Sequence, residues 1–158
     1  RTFEEFISIL QAFKIEILAD IRRYPGSKTY PYFNKEALEI SLQSYNIDYI
    51  HIGNLGGRRS TSAKSINTGW RLAAFRGYAD YMETDDFKEG INELEMLASK
   101  QRLVYMCSEA VWWSCHRALV SDMLKLRGWT VMHIMNATKE MEHPYKKKEK
   151  IINGKLLY

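Results

Sequence analysis

Both cysteines of the chain lie in one short segment, CSEAVWWSCHR, which also holds a histidine, a glutamate and an arginine. Enzymes use a thiol near an imidazole and a carboxylate for nucleophilic and acid–base catalysis. We therefore predict a catalytic group made of Cys107, Glu109, Cys115 and His116. In this hypothesis one of the cysteines is the nucleophile, His116 is the acid or base, and Glu109 orients the imidazole.

The end of this segment has the pattern of a helix N-terminus. Ser114 is a typical N-cap residue, and the residues after it predict a helix that ends near Arg127. Cys115, His116 and Arg117 would then lie in the first turn, where free main-chain amides and the helix dipole attract anions. The guanidinium of Arg117 adds two parallel donors for a phosphate or carboxylate. The same helix end lowers the pKa of a thiol.

The two cysteines differ in their expected surroundings. Cys107 ends an apolar run, and cysteine is among the most frequently buried residue types, so we expect Cys107 to belong to the core. A zinc site is an alternative hypothesis, with Cys107, Cys115 and His116 as ligands together with Glu109 or His133. However, adjacent residues of a helix point to different faces, and the chain has no Cys-x-x-Cys pair. The sequence therefore predicts neither a metal nor another cofactor.

Short apolar runs alternate with helical patterns along the chain. The predicted strands cover residues 15–20, 47–52, 102–107 and 129–135, and the predicted helices cover residues 2–13, 35–45, 70–81, 85–100 and 114–127. This alternation predicts parallel strands joined by right-handed crossovers. The expected fold is one α/β domain over residues 1–158, a Rossmann-like three-layer α/β/α sandwich with a mainly parallel sheet.

The last residues, 142–158, are expected to form a loosely packed tail. Asn153 and Gly154 predict a hairpin turn within it. The lysine run at 146–148 is expected to be solvated.

Ligands of open α/β sheets bind outside the carboxyl ends of the strands. Asp20, Arg22 and Arg23 follow the first predicted strand, LGGRR follows the second, and Cys107 and Glu109 follow the third. We therefore expect three loops rich in basic and polar residues to meet at one sheet edge. The predicted anion-binding residues are Arg22, Arg23, Gly56, Gly57, Arg58, Arg59, Trp70, Arg71, Tyr78 and Arg117.

Composition limits the classes of partner. The chain has 158 residues with a formal net charge of +4, and its isoelectric point near 9.0 is compatible with an anionic partner. No apolar run reaches the roughly 20 residues that span a bilayer, so no membrane association is expected. Two cysteines are a poor disulfide framework for a domain of this size. We therefore predict free thiols and a cytoplasmic location.

Several motifs in order, DIRRYPGSK, LGGRR, NTGWR, FRGYADYM, C-S-E and CHR, resemble those of the domain of unknown function 488 family, over about residues 2–137. The resemblance implies a small, intracellular α/β protein of mainly prokaryotic distribution. The family's motif positions fall on Asp20, Arg22, Pro25, Gly56, Gly57, Arg58, Trp70, Arg71, Phe75, Gly77, Tyr78, Cys107, Glu109, Cys115, His116 and Arg117. Members usually begin with a strand that ends in a Gly-His-Ser turn, and this sequence lacks that segment.

Three functional hypotheses follow from these residues. In the first, the chain is an enzyme whose arginine-rich cleft holds an anionic, phosphate-bearing substrate, such as a nucleotide or nucleic acid, beside the Cys/His/Glu group. In the second, it is a non-catalytic module that binds nucleic acid or a partner through the same arginines. In the third, arginine, glutamate and histidine form a purely structural network. The oligomeric state does not follow from the sequence.

Overall fold

The computed structural model describes residues 1–145 and 150–158. Within these ranges the helices are Phe3–Ala12 (α1), Lys35–Gln43 (α2), Ala73–Tyr81 (α3), Asp85–Ala98 (α4) and Arg117–Leu126 (α5). The strands are Ile17–Asp20 (β1), Asp48–His51 (β2), Leu103–Met106 (β3), Met132–Asn136 (β4), Lys139–Glu142 (β5), Lys150–Ile152 (β6) and Lys155–Leu157 (β7). None of the described helices is both long enough and apolar enough to cross a bilayer.

Strands β1, β2 and β3 form a parallel sheet in the order β2-β1-β3. Ile17 of β1 pairs with Asp48 on one side and with Leu103 on the other, so the strands run in register. All residues of β1 are buried, as expected for the central strand of a parallel sheet. The carboxyl ends of the three strands therefore lie at one edge, and the α/β class is confirmed.

The last strand predicted for this sheet lies elsewhere. β4 pairs in antiparallel fashion with β5, and within the described ranges it pairs with no strand of the parallel sheet. Only Ala137 and Thr138 join β4 to β5, and so short a connection suits antiparallel partners, since parallel ones need a crossover of about a dozen residues. A groove of about 580 Å³ is lined by both β3 and β4. The expectation that this strand extends the parallel sheet is wrong for the described residues.

Local sequence signals place several element ends as predicted. Thr2 accepts from the amide of Glu5, while the Glu5 carboxylate accepts from the amide of Thr2, which is a capping box at the start of α1. Gly128 ends α5 with a left-handed φ of 94°. Asn153 and Gly154, with φ of 50° and 74°, form the turn between β6 and β7.

The buried apolar side chains form two clusters. Leu18 of β1 packs with residues of α1 and α2. Its neighbour Ala19 packs with residues of α3, α4 and α5. Because successive side chains of a strand point to opposite faces, these two residues place helices against both faces of the sheet.

Some described residues of the segment 142–158 contact the core. Leu156 and Tyr158 are buried, and the Tyr158 hydroxyl donates to Oδ2 of Asp122 at 2.8 Å. Nε2 of His143 donates to the other oxygen of Asp122 at 2.7 Å. The lysine run at 146–148 lies outside the described residues, so its solvation stays a prediction.

Candidate functional site

A cleft of about 220 Å³ lies at the carboxyl ends of the three parallel strands. Its lining comes from Arg22, Arg23 and Tyr24 after β1, from Gly57 and Arg58 after β2, from Cys107, Ser108 and Glu109 after β3, and from Ala74, Phe75, Tyr78, Ser114, Cys115 and His116. Parallel strands in register bring their following loops to the same edge. Three loops far apart in sequence therefore contribute to one cavity.

Two thiols and an imidazole lie together in this cleft. Nδ1 of His116 is 3.8 Å from Sγ of Cys107 and 3.6 Å from Sγ of Cys115. Nε2 of His116 lies 3.1 Å from the carbonyl oxygen of Ile21. Since a carbonyl only accepts, Nε2 carries the proton of this hydrogen bond. Nδ1, the other ring nitrogen, therefore faces both sulfurs, and in a neutral imidazole it is the nitrogen without a proton.

The backbone around Cys115 explains how adjacent residues reach the same point. α5 begins at Arg117, whereas Ser114 belongs to the 3₁₀ turn Trp112–Ser114, so the prediction of Ser114 as helix N-cap is wrong. Cys115 is extended, with φ −132° and ψ 152°, and His116 is the N-cap residue, with φ −58° and ψ −14°. The sequence predicted that the two side chains would point to different faces of a helix. Because both residues precede the body of α5, helix geometry does not separate them.

The burial of the two thiols is the reverse of the expectation. Cys115 is only 2% exposed, whereas Cys107 is partly exposed and lines the cleft. A hydrogen bond from Cys115 lowers the pKa of Cys107, against the effect of burial and with help from His116. The same contact and burial raise the pKa of Cys115. Both directions favour Cys107, the thiol nearer to the cleft, as the more acidic thiol of the pair.

The two glycines of LGGRR permit contact between loops. A Cβ at Gly56 would lie 2.6 Å from Cα of Arg23, and a Cβ at Gly57 would lie 2.8 Å from Nδ1 of His116. Both distances are too short for a side chain. The sequence predicted that these glycines let the backbone approach a ligand. In the structure they let their loop approach Arg23 and His116, and the missing side chain of Gly57 leaves open the space beside Nδ1 of His116.

Arg22 takes part in a buried ion pair. It is 6% exposed, and its Nε and NH2 bind the fully buried carboxylate of Asp20 at 2.9 and 2.5 Å. NH2 also donates to the carbonyl oxygen of Phe33 at 2.8 Å, and the Tyr49 hydroxyl donates to Asp20 at 2.7 Å. Although burial opposes the charge, the hydrogen bond to Asp20 raises the pKa of Arg22. Arg22 therefore lines the cleft with most of its donors already engaged.

Arg23 and Arg58 are the exposed cations of the cleft. NH1 of Arg23 donates to the carbonyl oxygen of Arg58 at 2.6 Å, and Arg58 has a left-handed φ of 58°. Neither forms an ion pair within the part of the chain that the structure describes. Three arginines line the cleft against one acid, Glu109. Because Arg22 is paired with Asp20, Arg23 and Arg58 are the two cleft arginines that remain to attract an anion.

The other three predicted arginines lie outside this lining. The guanidinium of Arg59 lies 3.7 Å above the ring of Tyr81. Arg71 is exposed. Arg117 donates through its main-chain N and its Nε to Sγ of Cys115, at 3.4 and 3.5 Å. Arg117 thus supports the thiol cluster from outside the cleft.

The two predicted aromatic residues belong to the core. Trp70 is 6% exposed and stacks on Phe75 with ring centroids 4.7 Å apart. Tyr78 is buried, and its hydroxyl donates to the carbonyl oxygen of Leu55 at 2.6 Å. The ring of Tyr78 also lies 5.0 Å from that of His116 and forms part of the cleft wall.

Glu109 does not orient the imidazole as predicted. Its side chain is exposed at the cleft, whereas the contacts of the His116 ring run to Ile21 and to the thiols. NH2 of Arg117 binds the main-chain oxygen of Glu109. Among the described residues, these contacts do not join the side chain of Glu109 to that of His116 or of Arg117.

Several participants are not among the predicted site residues, and Ala74, Phe75 and Ser114 of the cleft lining belong to this group. The carbonyl of Ile21 orients His116, and Tyr24 and Ser108 line the cleft. Ile21 and Ser108 directly follow predicted strands, and Tyr24 lies in the loop after the first one, so the rule that sites form at the carboxyl ends of strands also covers these three residues. The part played by the Ile21 carbonyl depends on a main-chain atom, which residue type does not signal.

The sequence profile of one protein family, described as Domain of unknown function DUF488, matches residues 2–124. This stretch is most of the chain and contains every residue of the cleft. No curated protein and no solved structure matches the chain.

Proposed function

We propose that this chain, which belongs to the family described as domain of unknown function DUF488, is an enzyme that binds an anionic, phosphate-bearing group beside its thiol–imidazole cluster. The observation that carries the proposal is the placement of Arg23 and Arg58 in the same cleft as Cys107 and His116. Cations that are not engaged in ion pairs attract an anion, and the cluster supplies groups that can act on it.

The size of the cleft narrows the substrate. Its volume of about 220 Å³ is below the roughly 300–1,000 Å³ of sites that enclose a drug-sized ligand. A single phosphate group fits this space better than a whole nucleotide. A nucleotide or nucleic acid would therefore place one phosphate in the cleft and the rest of the molecule outside, next to the exposed ring of Tyr24.

The groups that could act on the anion belong to the thiol–imidazole cluster of Cys107, Cys115 and His116. Cys107 faces the cleft and Cys115 lies behind it, so a reaction through sulfur would use Cys107. Attack by a cysteine stays a prediction. It is tested by alkylation with iodoacetamide in metal-free buffer, followed by mass spectrometry. Modification of Cys107 that phosphate suppresses would support it, whereas two unreactive thiols in the folded chain would contradict it.

Binding of inorganic phosphate, measured by isothermal titration calorimetry, tests the anion site. Arg58→Ala should weaken binding at least about tenfold, because a charge-assisted hydrogen bond contributes about 1.5–3 kcal/mol. Arg71→Ala is the matched control, since Arg71 is an exposed arginine outside the cleft. Equal losses in the two variants, or no binding by the unmodified chain, would refute the proposal.

A non-catalytic nucleic-acid-binding module is the second candidate. It is favoured by Tyr24, which is 63% exposed at the cleft and has the guanidinium of Arg23 lying 5.5 Å above its ring. Exposed rings and arginines stack on bases and bind phosphates. Binding of a single-stranded oligonucleotide that weakens steeply with salt and survives Cys107→Ser would favour this candidate.

We also infer that the described elements belong to a Rossmann-like three-layer α/β/α sandwich. The packing of Leu18 and Ala19 against different sets of helices supports this inference. The cytoplasmic location and the single-domain organisation stay predictions.

A further inference from the structure

We propose that Cys107, Cys115 and His116 bind a zinc ion and leave its fourth coordination position open to the cleft. The fourth ligand would be an oxygen of the anion that the proposed function places in the cleft. For the identity of this ligand, the inference rests on the proposed function. The three side chains form a group whose potential ligand atoms all lie within 4.8 Å of one another.

The distances suit tetrahedral coordination. Zinc binds sulfur at about 2.3 Å and imidazole nitrogen at about 2.0–2.1 Å, which separates tetrahedral S and N ligands by about 3.6 Å. Nδ1 of His116 lies 3.6 Å from Sγ of Cys115 and 3.8 Å from Sγ of Cys107. Both nitrogen–sulfur distances are therefore close to those around a bound zinc ion.

The surroundings prepare the imidazole as a ligand. Its Nε2–H donates to the carbonyl of Ile21, so in the neutral imidazole the lone pair is on Nδ1, the nitrogen that faces the sulfurs. A hydrogen bond from the second ring nitrogen to a carbonyl is the usual way in which proteins orient a metal-binding histidine. Gly57 keeps the space next to Nδ1 free, because a Cβ there would lie 2.8 Å from this atom.

The thiolates also have supporting donors. The main-chain N and Nε of Arg117 both donate to Sγ of Cys115. Such hydrogen bonds to ligand atoms hold a metal site in its geometry. Two thiolates and one neutral imidazole balance the 2+ charge of zinc, so the centre would be neutral. An anion at the fourth position would add negative charge, which Arg23 and Arg58 in the cleft offset.

The group comprises three ligands within the described ranges, and Cys107 and His116 are partly exposed to the cleft. Three protein ligands with an open fourth position are typical of catalytic zinc sites, whereas structural sites have four. Soft sulfur and imidazole ligands favour zinc over magnesium or calcium. The structure therefore assigns a chemical role to both cysteines together.

The test measures metal binding by the full chain. The chain is freed of metal with a chelator, titrated with Zn²⁺ against a chromophoric competitor, and titrated separately with Co²⁺. We expect one metal ion per chain and a thiolate-to-cobalt charge-transfer band together with the visible bands of tetrahedral cobalt. Absence of stoichiometric binding, or a cobalt spectrum without thiolate bands, would overturn the inference.

Variants identify the ligands. Cys107→Ser, Cys115→Ser and His116→Gln should each weaken zinc binding by more than about 100-fold, since even the loss of a supporting contact costs about 10–100-fold. Glu109→Gln is the control for an adjacent acid, and its affinity should be unchanged. A large loss with Glu109→Gln would show a fourth protein ligand and overturn the open position. Circular dichroism shows whether each variant is folded, and the cobalt spectrum of the unmodified chain does not depend on any variant.

Phosphate calorimetry on the metal-free and zinc-loaded chain separates this inference from the proposed function. If phosphate binding requires Arg58 but the chain binds no zinc, the result supports the proposed function and contradicts the zinc site. If the chain binds zinc but no phosphate, the result supports the metal site and contradicts the proposed function. Zinc that strengthens phosphate binding supports both.

Discussion

Asp20→Asn tests whether the buried ion pair at the end of β1 holds the site in place. The carboxylate is completely buried and accepts hydrogen bonds from Arg22 and from the Tyr49 hydroxyl. Asparagine keeps the shape of the side chain but removes the charge. Arg22, which is 6% exposed, would then keep a buried positive charge without a counter-ion.

The size of the effect follows from this burial. Removing one partner of a buried pair costs about 3–5 kcal/mol, because the remaining charge stays desolvated. That is a large part of the roughly 5–15 kcal/mol by which a domain is stable. For a chain of this length the melting temperature should fall by about 2–4 °C per kcal/mol, or about 6–20 °C in total.

Urea denaturation followed by circular dichroism measures the free energy of unfolding. Asp48→Asn is the matched control, since Asp48 is exposed in β2 and should change stability by less than about 0.5 kcal/mol. Combining Asp20→Asn with Arg22→Met should cost less than the sum of the single changes, because no unpaired charge remains. A loss below about 1 kcal/mol for Asp20→Asn would refute the reasoning about the desolvated charge.

Two further changes probe the site and the end of the chain. Gly57→Ala should weaken zinc binding at least about tenfold in the competition titration, because the new methyl would lie 2.8 Å from Nδ1 of His116 and displace the imidazole. Gly26→Ala, at an open position, is the control, and equal affinities would contradict the expectation. Tyr158→Phe should lower the free energy of unfolding in urea by about 1–3 kcal/mol, because it removes a hydrogen bond to the buried carboxylate of Asp122. An unchanged denaturation midpoint would show that this contact does not anchor the tail.

Much of the local structure could be predicted from the sequence because its causes are local. Thr2 with Glu5 caps α1, and Gly128 ends α5, since each signal acts within a few residues. The strand predicted at residues 15–20 contains the central strand β1, because an apolar run can be buried on both faces of a sheet. The position of β4 could not be predicted in the same way, since strand pairing depends on contacts between distant segments.

For the arginines, too, the sequence predicted the position in the chain but not the partner of each side chain. The sequence placed Arg22, Arg23 and Arg58 after the strands that form the sheet edge. It did not show that Arg22 is paired with Asp20, while Arg23 and Arg58 remain exposed in the cleft. Residue type specifies a charge, but the partner of that charge depends on which atoms the fold brings within hydrogen-bond distance.

By itself, the sequence determined the α/β class, the family and the segment that holds both cysteines and His116. Only the tertiary structure decided how Cys107, Cys115 and His116 are arranged. If Cys115 and His116 were helical residues, their side chains would point to different faces of the helix and could not easily bind the same metal ion. Because α5 begins one residue after His116 and Cys115 is extended, both side chains reach Cys107. The extended backbone of Cys115, which lies outside the helix, therefore removes the argument from spacing against a shared metal.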